Sequence, residues 1–305
     1  MAVMLRWKGG EQSVQDGAME VLGHRGSRTP GPENTVEAVD AALRAGADGV
    51  ELDIRRSADG DLVCVHDARL PRLGGRAVLR RSTRELASRG IPALTDVLDV
   101  WAGRGRLILE IKNQPGQPDF DAPRERTARA LIELLRARGL PELGPTTPEP
   151  GPGTPGRLDP AESPTGDAAE PRWHPAATPD ARANGGEPGA GSAVQPGITV
   201  SSFDWFAIEA VRDAGLGVAT AFLTMPRMSV SGGIAYVRSA GHTELHAHVS
   251  AVHGVPDAVA RARRAGVRLV TWTVTDPAAA LELRDAGVDG IICDDPAGIT
   301  TALGR

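Results

Sequence analysis

Cysteine is nearly absent: Cys64 and Cys293 are the whole supply. Both lie in apolar, strand-like runs and read as reduced core residues. A disulfide between them is open, but nothing in their spacing asks for one, so this is not a disulfide-built scaffold. No run approaches 18 apolar residues, which excludes an integral transmembrane helix. The N-terminal stretch "MAVMLRWKGGEQSVQDGAME" has neither an apolar core nor a small-residue cleavage site. It does not read as a secretory signal, and the expected compartment is the cytoplasm. Excess positive charge is missing too, with 34 basic against 39 acidic residues and a formal net charge of −5. A nucleic-acid partner would call for a basic domain or stripe. Lysine is scarcest of all the charged types, since only Lys8 and Lys112 are lysines and the other basic residues are arginines. A lysine kept on an apolar strand stands out, because a compact ammonium and a planar guanidinium do different work.

At 305 residues the chain suits one large α/β domain or two ordinary ones. Strand-like and helix-like patterns alternate. Strands are expected at 19–23, 49–54, 62–66, 107–112, 198–202, 217–222, 244–249, 267–274 and 288–293. Helices are expected at 34–45, 95–102, 122–138, 204–214, 227–239, 255–265, 276–286 and 296–303. Residues 1–18 read as a flexible tail. The stretch 141–196, with "LGPTTPEPGPGTPG" and "NGGEPGAGSAVQPG", is too poor in apolar residues to offset its ordering entropy and reads as a disordered insertion. Without tail and insertion roughly 230 residues remain, which suits a (β/α)8 TIM barrel, here one catalytic domain over 19–303 interrupted by 141–196. An open doubly wound sheet is the competing fold. The lack of a Gly-rich nucleotide turn after the first strand weakens it.

Chemistry-bearing residues gather at the ends of these strands. "MEVLGHRG" ends in His24, and "DLVCVHD" ends in His66. "GVELDI" carries Glu51 and Asp53, which share a face because residues two apart on a strand point the same way. Their apolar neighbours Val50, Leu52 and Ile54 argue that this strand is covered, so two unpaired carboxylates would be costly there. "RLILEIK" adds Glu110, a third hard oxygen ligand, and Lys112, a cation for an anionic substrate. Two imidazoles, convergent carboxylates and a lysine suggest a metal-assisted acid/base site, and in a barrel the active site lies at the C-terminal strand ends. Each part has a bland reading beside this one. A lone histidine after a strand is more often structural, Lys112 could simply pair with Glu110, and Trp272 is by default a core residue. His242, His246, His248 and His253 invite a second metal reading, with Glu244 and His246 on one strand face, but no cysteine completes it.

The segment "GHRGSRTPGPENTVEAVDAALRAGADGVELDIRRSADGDLVCVHDARLPRLGG" resembles the opening of the glycerophosphodiester phosphodiesterase family, with its HRG, PENT, E-x-D and HD elements. "LILEIK", "SSFDW", "VTWTVTD" and "AGVDGIICDDP" are similar to its later signatures. The likeness covers about residues 20–112 and 198–298. It implies a TIM barrel of the phospholipase-C-like phosphodiesterase type and metal-dependent hydrolysis of glycerophosphodiesters to sn-glycerol 3-phosphate and an alcohol. It further implies His24 and His66 as the acid/base pair, and Glu51, Asp53 and Glu110 as ligands of one divalent cation. Arg25 and Lys112 would hold the phosphate, Trp272 would line the glycerol pocket, and Glu33 and Asn34 would support the site and open the first helix. Two positions depart from the family pattern: Thr275 stands where Asn is frequent, and Cys293 where Thr is frequent.

An all-oxygen ligand set favours Mg²⁺ or Ca²⁺. Cations around the phosphorus would neutralise the anion, and one histidine would take a proton from the nucleophile while the other protonates the leaving alkoxide. In this scheme the nucleophile is either water or the substrate's own glycerol 2-hydroxyl. Two rival readings are a related barrel phospholipase, of the phosphatidylinositol-specific C or lysophospholipase D type, and a non-catalytic barrel scaffold. The intact acid/base and ligand set speaks against a scaffold. The expected partner is a small-molecule glycerophosphodiester.

Overall fold

Strands that are covered on both faces can afford apolar residues at every position, and this is the pattern of the runs that build the sheet. The computed structural model describes residues 18–28, 31–139, 197–226, 228–255 and 257–305. The tail expected over 1–18, but for residue 18, and the insertion expected over 141–196 lie outside the described residues. In chain order the elements are β1 (Glu20–His24), α1 (Val36–Arg44), β2 (Gly49–Arg56), β3 (Leu62–Cys64), α2 (Thr83–Ala87), α3 (Leu94–Trp101), β4 (Arg106–Ile111), α4 (Arg126–Ala137), β5 (Ile198–Ser202) and α5 (Trp205–Asp213). They continue with β6 (Ala219–Leu223), α6 (Val230–Ser239), β7 (Glu244–His248), α7 (Ala258–Arg264), β8 (Arg268–Val274), α8 (Pro277–Ala286), β9 (Gly290–Cys293) and α9 (Pro296–Ala302).

Strands β1, β2, β4, β5, β6, β7, β8 and β9 pair in parallel in that order, and β9 returns to β1, closing a (β/α)8 barrel. The expected strand over 62–66 is different in kind. It is the short β3, antiparallel to the upper part of β2, with Cys64 opposite Ile54 and Leu62 opposite Arg56. A period-2 pattern reports a covered strand but not its direction, and a five-residue turn over 57–61 (Ser57 to Asp61) permits a hairpin where a parallel crossover needs a helix. His66 therefore does not end a barrel strand. It follows a hairpin strand that descends back toward the barrel mouth, where the Val65 amide donates to the Asp53 carbonyl at 3.0 Å.

Caps explain most helix starts. Thr35, Ser82, Asp204, Ser229, Asp276 and Asp295 each accept a backbone N–H of their helix's first turn, and Pro277 and Pro296 occupy the first helical positions. Helix α1 starts at Val36 rather than at 34 because Asn34 sits in the left-handed region (φ 59°) and Thr35 is the cap. Helix α4 starts at Arg126 rather than at 122. The Asn113 side chain holds the preceding loop, accepting from the Asp121 amide at 3.0 Å and donating to Glu125 Oε2 at 3.0 Å. Between 67 and 94, where the sequence patterning assigns nothing, α2 and two single 3₁₀ turns pack Leu73, Val78, Leu86 and Ile91 onto Val63 and Val65.

The barrel interior is layered. At the N-terminal end Arg106 pairs with Glu20 at 3.1 Å and with Glu244, donates to Thr199 at 2.9 Å, and Arg268 pairs with Glu20 at 2.7 Å. An apolar plug of Leu22, Ile108, Val270 and Ile292 lies above. Over it, at the C-terminal strand ends, lie the charged groups of the site. No helix among the described residues is long and apolar enough to cross a membrane.

Candidate active site

Strand register brings the carboxylates together. His24 is level with Glu51, Asp53 with Glu110, and Glu110 with Ser201. Ligand-capable oxygens of Glu51, Asp53 and Glu110 all lie within 4.8 Å of one another, and the three residues are 3%, 0% and 7% exposed. Lys112, one residue past β4, reaches Asp53 Oδ1 at 2.8 Å and Glu110 Oε1 at 2.5 Å. Arg25 lies on the other side, with Nε 3.0 Å from Asp53 Oδ2 and Nη1 2.6 Å from Glu33 Oε1. Both cations expected at the phosphate are thus tied to the carboxylates here.

The "HRG" turn explains Arg25. Gly26 (φ 82°) follows Arg25 (φ 58°), and a Cβ on Gly26 would lie 2.6 Å from the Ala38 backbone of α1, so only glycine lets the chain turn this tightly. The turn aims the Arg25 amide at Glu51 Oε2, 3.1 Å away. Asn34 clasps Asp53 from both sides: its Nδ2 donates to Oδ2 at 2.8 Å and its Oδ1 accepts from the Asp53 amide at 2.9 Å.

His24 lines the cleft, His66 lies near enough to Asp53 to act on its charge, and each is held through Nδ1. In the tautomer that carries its proton there, His24 donates to Asp294 Oδ1 at 2.6 Å, leaving Nε2 4.0 Å from Glu51 Oε2. His66 Nδ1 lies 2.7 Å from Asp67 Oδ1 in the same way. The hydrogen bond to His24, together with Arg28 at 3.1 Å, holds the Asp294 carboxyl below its ordinary value. Asp67 and Asp294 were not among the residues singled out from the sequence. Asp67 is readable as the neighbour of His66, whereas Asp294 is 270 residues from its partner.

A divalent cation fits this cluster. Glu51 Oε1 is buried without a hydrogen-bond partner. Burial, and then the charges of Asp53 and Glu110, push the Glu51 carboxyl well above its ordinary value. Burial also raises Asp53, but the charges of Lys112, Arg25 and His66 outweigh it and hold its pKa at about 2. Burial works against the Lys112 ammonium, yet Glu110 and Asp53 raise its pKa overall. Three carboxylates against Lys112 and Arg25 leave one excess negative charge. A divalent cation would make the cluster singly positive, which matches a singly charged anion.

Trp272 lines the same cleft as His24, Glu51 and Glu110, and its Nε1 donates to the His246 carbonyl at 3.0 Å. The four histidines of the second metal reading do not converge. His242 pairs with Thr220, His246 with Glu244, His248 with Ser250 and His253 with Glu282. Among the described residues the one group of three close, metal-capable side chains is Glu51, Asp53 and Glu110.

The family model of the glycerophosphoryl diester phosphodiesterase family matches residues 24–138 and 180–298. A protein of Mycobacterium tuberculosis, named "Probable glycerophosphodiester phosphodiesterase 1", is 58% identical over 52 residues, which is 17% of this chain and 19% of that protein. The chain thus spans about a fifth of the length of this relative. A glycerophosphodiester phosphodiesterase of Caldanaerobacter subterraneus is 23% identical over 300 residues, 90% of this chain and 94% of that one. Among solved structures, a phosphodiesterase of Oleispira antarctica in complex with the product sn-glycerol-3-phosphate shares the fold. Its TM-score is 0.66 at 21% identity, covering 94% of this chain and 98% of that chain.

Proposed function

Because the chain belongs to the glycerophosphoryl diester phosphodiesterase family, we propose that it hydrolyses glycerophosphodiesters to sn-glycerol 3-phosphate and an alcohol, as a step in glycerophospholipid breakdown. The observation that supports this best is the buried Glu51, Asp53 and Glu110 trio, beside which His24 is held by Asp294. The named activity of the Caldanaerobacter relative and the product bound to the Oleispira protein point the same way.

In this reading Glu51, Asp53 and Glu110 hold one divalent cation, Mg²⁺ or Ca²⁺. When bound, it supplies positive charge against the phosphoryl oxygens. Arg25 and Lys112, kept cationic by their carboxylate neighbours, sit where they add to that charge. His24, which lines the cleft, and His66, near enough to Asp53 for its charge to be felt there, form the acid/base pair. One removes the proton of the attacking hydroxyl, from water or from the glycerol 2-hydroxyl, as the new P–O bond forms. The other gives a proton to the departing alkoxide as the old P–O bond breaks. Asp67 and Asp294 hold the rings and stabilise the imidazolium each becomes. Glu33 and Asn34 orient Arg25 and Asp53. Trp272 forms an apolar wall for the glycerol carbons. The two cysteines are buried, separate thiols, which suits the cytoplasmic location we assign to the reaction.

A coupled assay of sn-glycerol 3-phosphate release from glycerophosphocholine tests the reading. Release should stop with EDTA and return with Mg²⁺ or Ca²⁺. No release in the metal-loaded protein, or full release in a verified metal-free preparation, would overturn it.

A further inference from the structure

Between the HRG and PENT elements stands Arg28, a residue to which the family likeness assigns no role. Its side chain is 47% exposed, and exposed ion pairs contribute little to stability, so its contacts call for another reason. Arg28 reaches two carboxylates at once. Its Nη1 donates to Asp294 Oδ2 at 3.1 Å, and its Nε lies 3.3 Å from Glu33 Oε2. Neither carboxylate is an ordinary surface group. Asp294 turns its other oxygen to His24 Nδ1 at 2.6 Å, and Glu33 turns its other oxygen to Arg25 Nη1 at 2.6 Å. One guanidinium thus completes a run of charges from His24 through Asp294, Arg28, Glu33 and Arg25 to Asp53 of the metal cluster.

The terminal torsion of a carboxylate is soft, so one hydrogen bond holds one oxygen and leaves the plane free to turn. The Asp294 and Glu33 side chains are 30% and 32% exposed, so the surrounding protein does not enclose them. A second contact on the other oxygen fixes the plane, and Arg28 supplies it to both. A planar fork can do this because its donors point along separate, fixed directions, whereas an ammonium is a single point charge. Glu33 comes from the loop between β1 and α1 and Asp294 from the residue after β9, so Arg28 also spans the seam where the barrel closes. We propose that Arg28 is a positioning residue for the reaction: through Asp294 it sets the ring of His24, and through Glu33 it sets the guanidinium of Arg25. This rests on the glycerophosphodiesterase reading above and extends it to a side chain that acts without touching substrate.

The test measures steady-state release of sn-glycerol 3-phosphate from glycerophosphocholine, with Mg²⁺, for the wild type, Arg28→Gln, Arg28→Lys, Asp294→Asn and Glu33→Gln. Melting temperatures are taken in parallel. A loosened reacting geometry costs rate, so Arg28→Gln should lower kcat/KM by about tenfold or more while its melting temperature hardly moves. The loss should divide as the two arms do: kcat falls, as in Asp294→Asn, and KM rises, as in Glu33→Gln. Adding Arg28→Gln to Asp294→Asn should lower kcat no further, because the two act as one unit. Arg28→Lys keeps the charge without the fork and should recover only a minor part of the loss. Wild-type kcat and KM in Arg28→Gln, full recovery in Arg28→Lys, or a double variant in which the two losses of kcat add would overturn the proposal. So would a loss that comes only with a lowered melting temperature. The wild-type preparation separates the two levels. Turnover there with an unaltered Arg28→Gln defeats the positioning role alone, and no turnover defeats the reading beneath it.

Discussion

An imidazole transfers protons usefully when one ring nitrogen is held and the other faces the reaction. His24 and His66 each have Nδ1 held, by Asp294 and Asp67, and in the proposed reaction Nε2 of each carries the proton. His24→Ala and His66→Ala should each lower kcat by about 10²–10⁴ with a smaller change in KM, and the double variant should be scarcely worse than either. A p-nitrophenyl ester needs little protonation of its leaving group, so it should rescue the variant lacking the general acid and not the other. Equal small losses without differential rescue would count against separate roles. Glu51 gives a second prediction at this scale. Its folded carboxyl titrates well above the ordinary 4.5, so the metal-free fold binds more protons than the unfolded chain as pH rises from there. Stability therefore falls as pH climbs from about 4.5 through the folded value. Melting curves of the metal-free protein should show this loss, divalent cation should restore it, and Glu51→Gln should flatten it. A slope that Glu51→Gln leaves intact would place its origin elsewhere.

Among the elements, the β2–β3 hairpin matters most to the site, because it returns the chain so that His66 reaches the barrel mouth. Arg55 near its root is 3% exposed and fixes that return. Its Nε donates to the His66 carbonyl at 2.7 Å, and its Nη1 meets both oxygens of buried Asp119 at 2.8 and 2.6 Å. Arg55→Leu strands the Asp119 charge, which should cost about 3–5 kcal/mol of stability. Because His66 is released as well, kcat at a temperature where the variant remains folded should also fall. A variant that lost stability but kept full kcat would show that the hairpin holds His66 without this contact.

Across the whole barrel the two faces divide the work. The C-terminal strand ends carry His24, the carboxylates and Lys112, with His66 brought in by the hairpin, and the N-terminal end carries the structural layer of Arg106, Glu20, Glu244 and Arg268. The stretch 141–196 lies between α4 and β5 in the chain, outside the described residues, and its composition offers no packing face. We therefore expect that replacing 141–196 with a short Gly/Ser linker leaves kcat and melting temperature nearly unchanged. Steady-state kinetics and calorimetry check this, and a large loss of kcat would give the segment a part in the reaction.

Local order was legible in the chain itself. Alternation of apolar strand and amphipathic helix patterns marked the barrel, and motif residues such as His24, Glu51, Asp53 and Glu110 stood out because carboxylates two apart on a covered strand have no cheap structural explanation. Strand direction was not legible: residues 62–66 carry the same apolar signal whether they pair parallel or, as β3 does, antiparallel. Neither was Asp294, since hydrogen-bond pairing across a barrel depends on closure and register rather than on any neighbour in the chain. Composition and periodicity act over a few residues and so determined the elements and the residues that the proposed site draws on. Closing β9 onto β1 brings together groups up to 270 residues apart, and that step decided that Asp294 holds Nδ1 of His24.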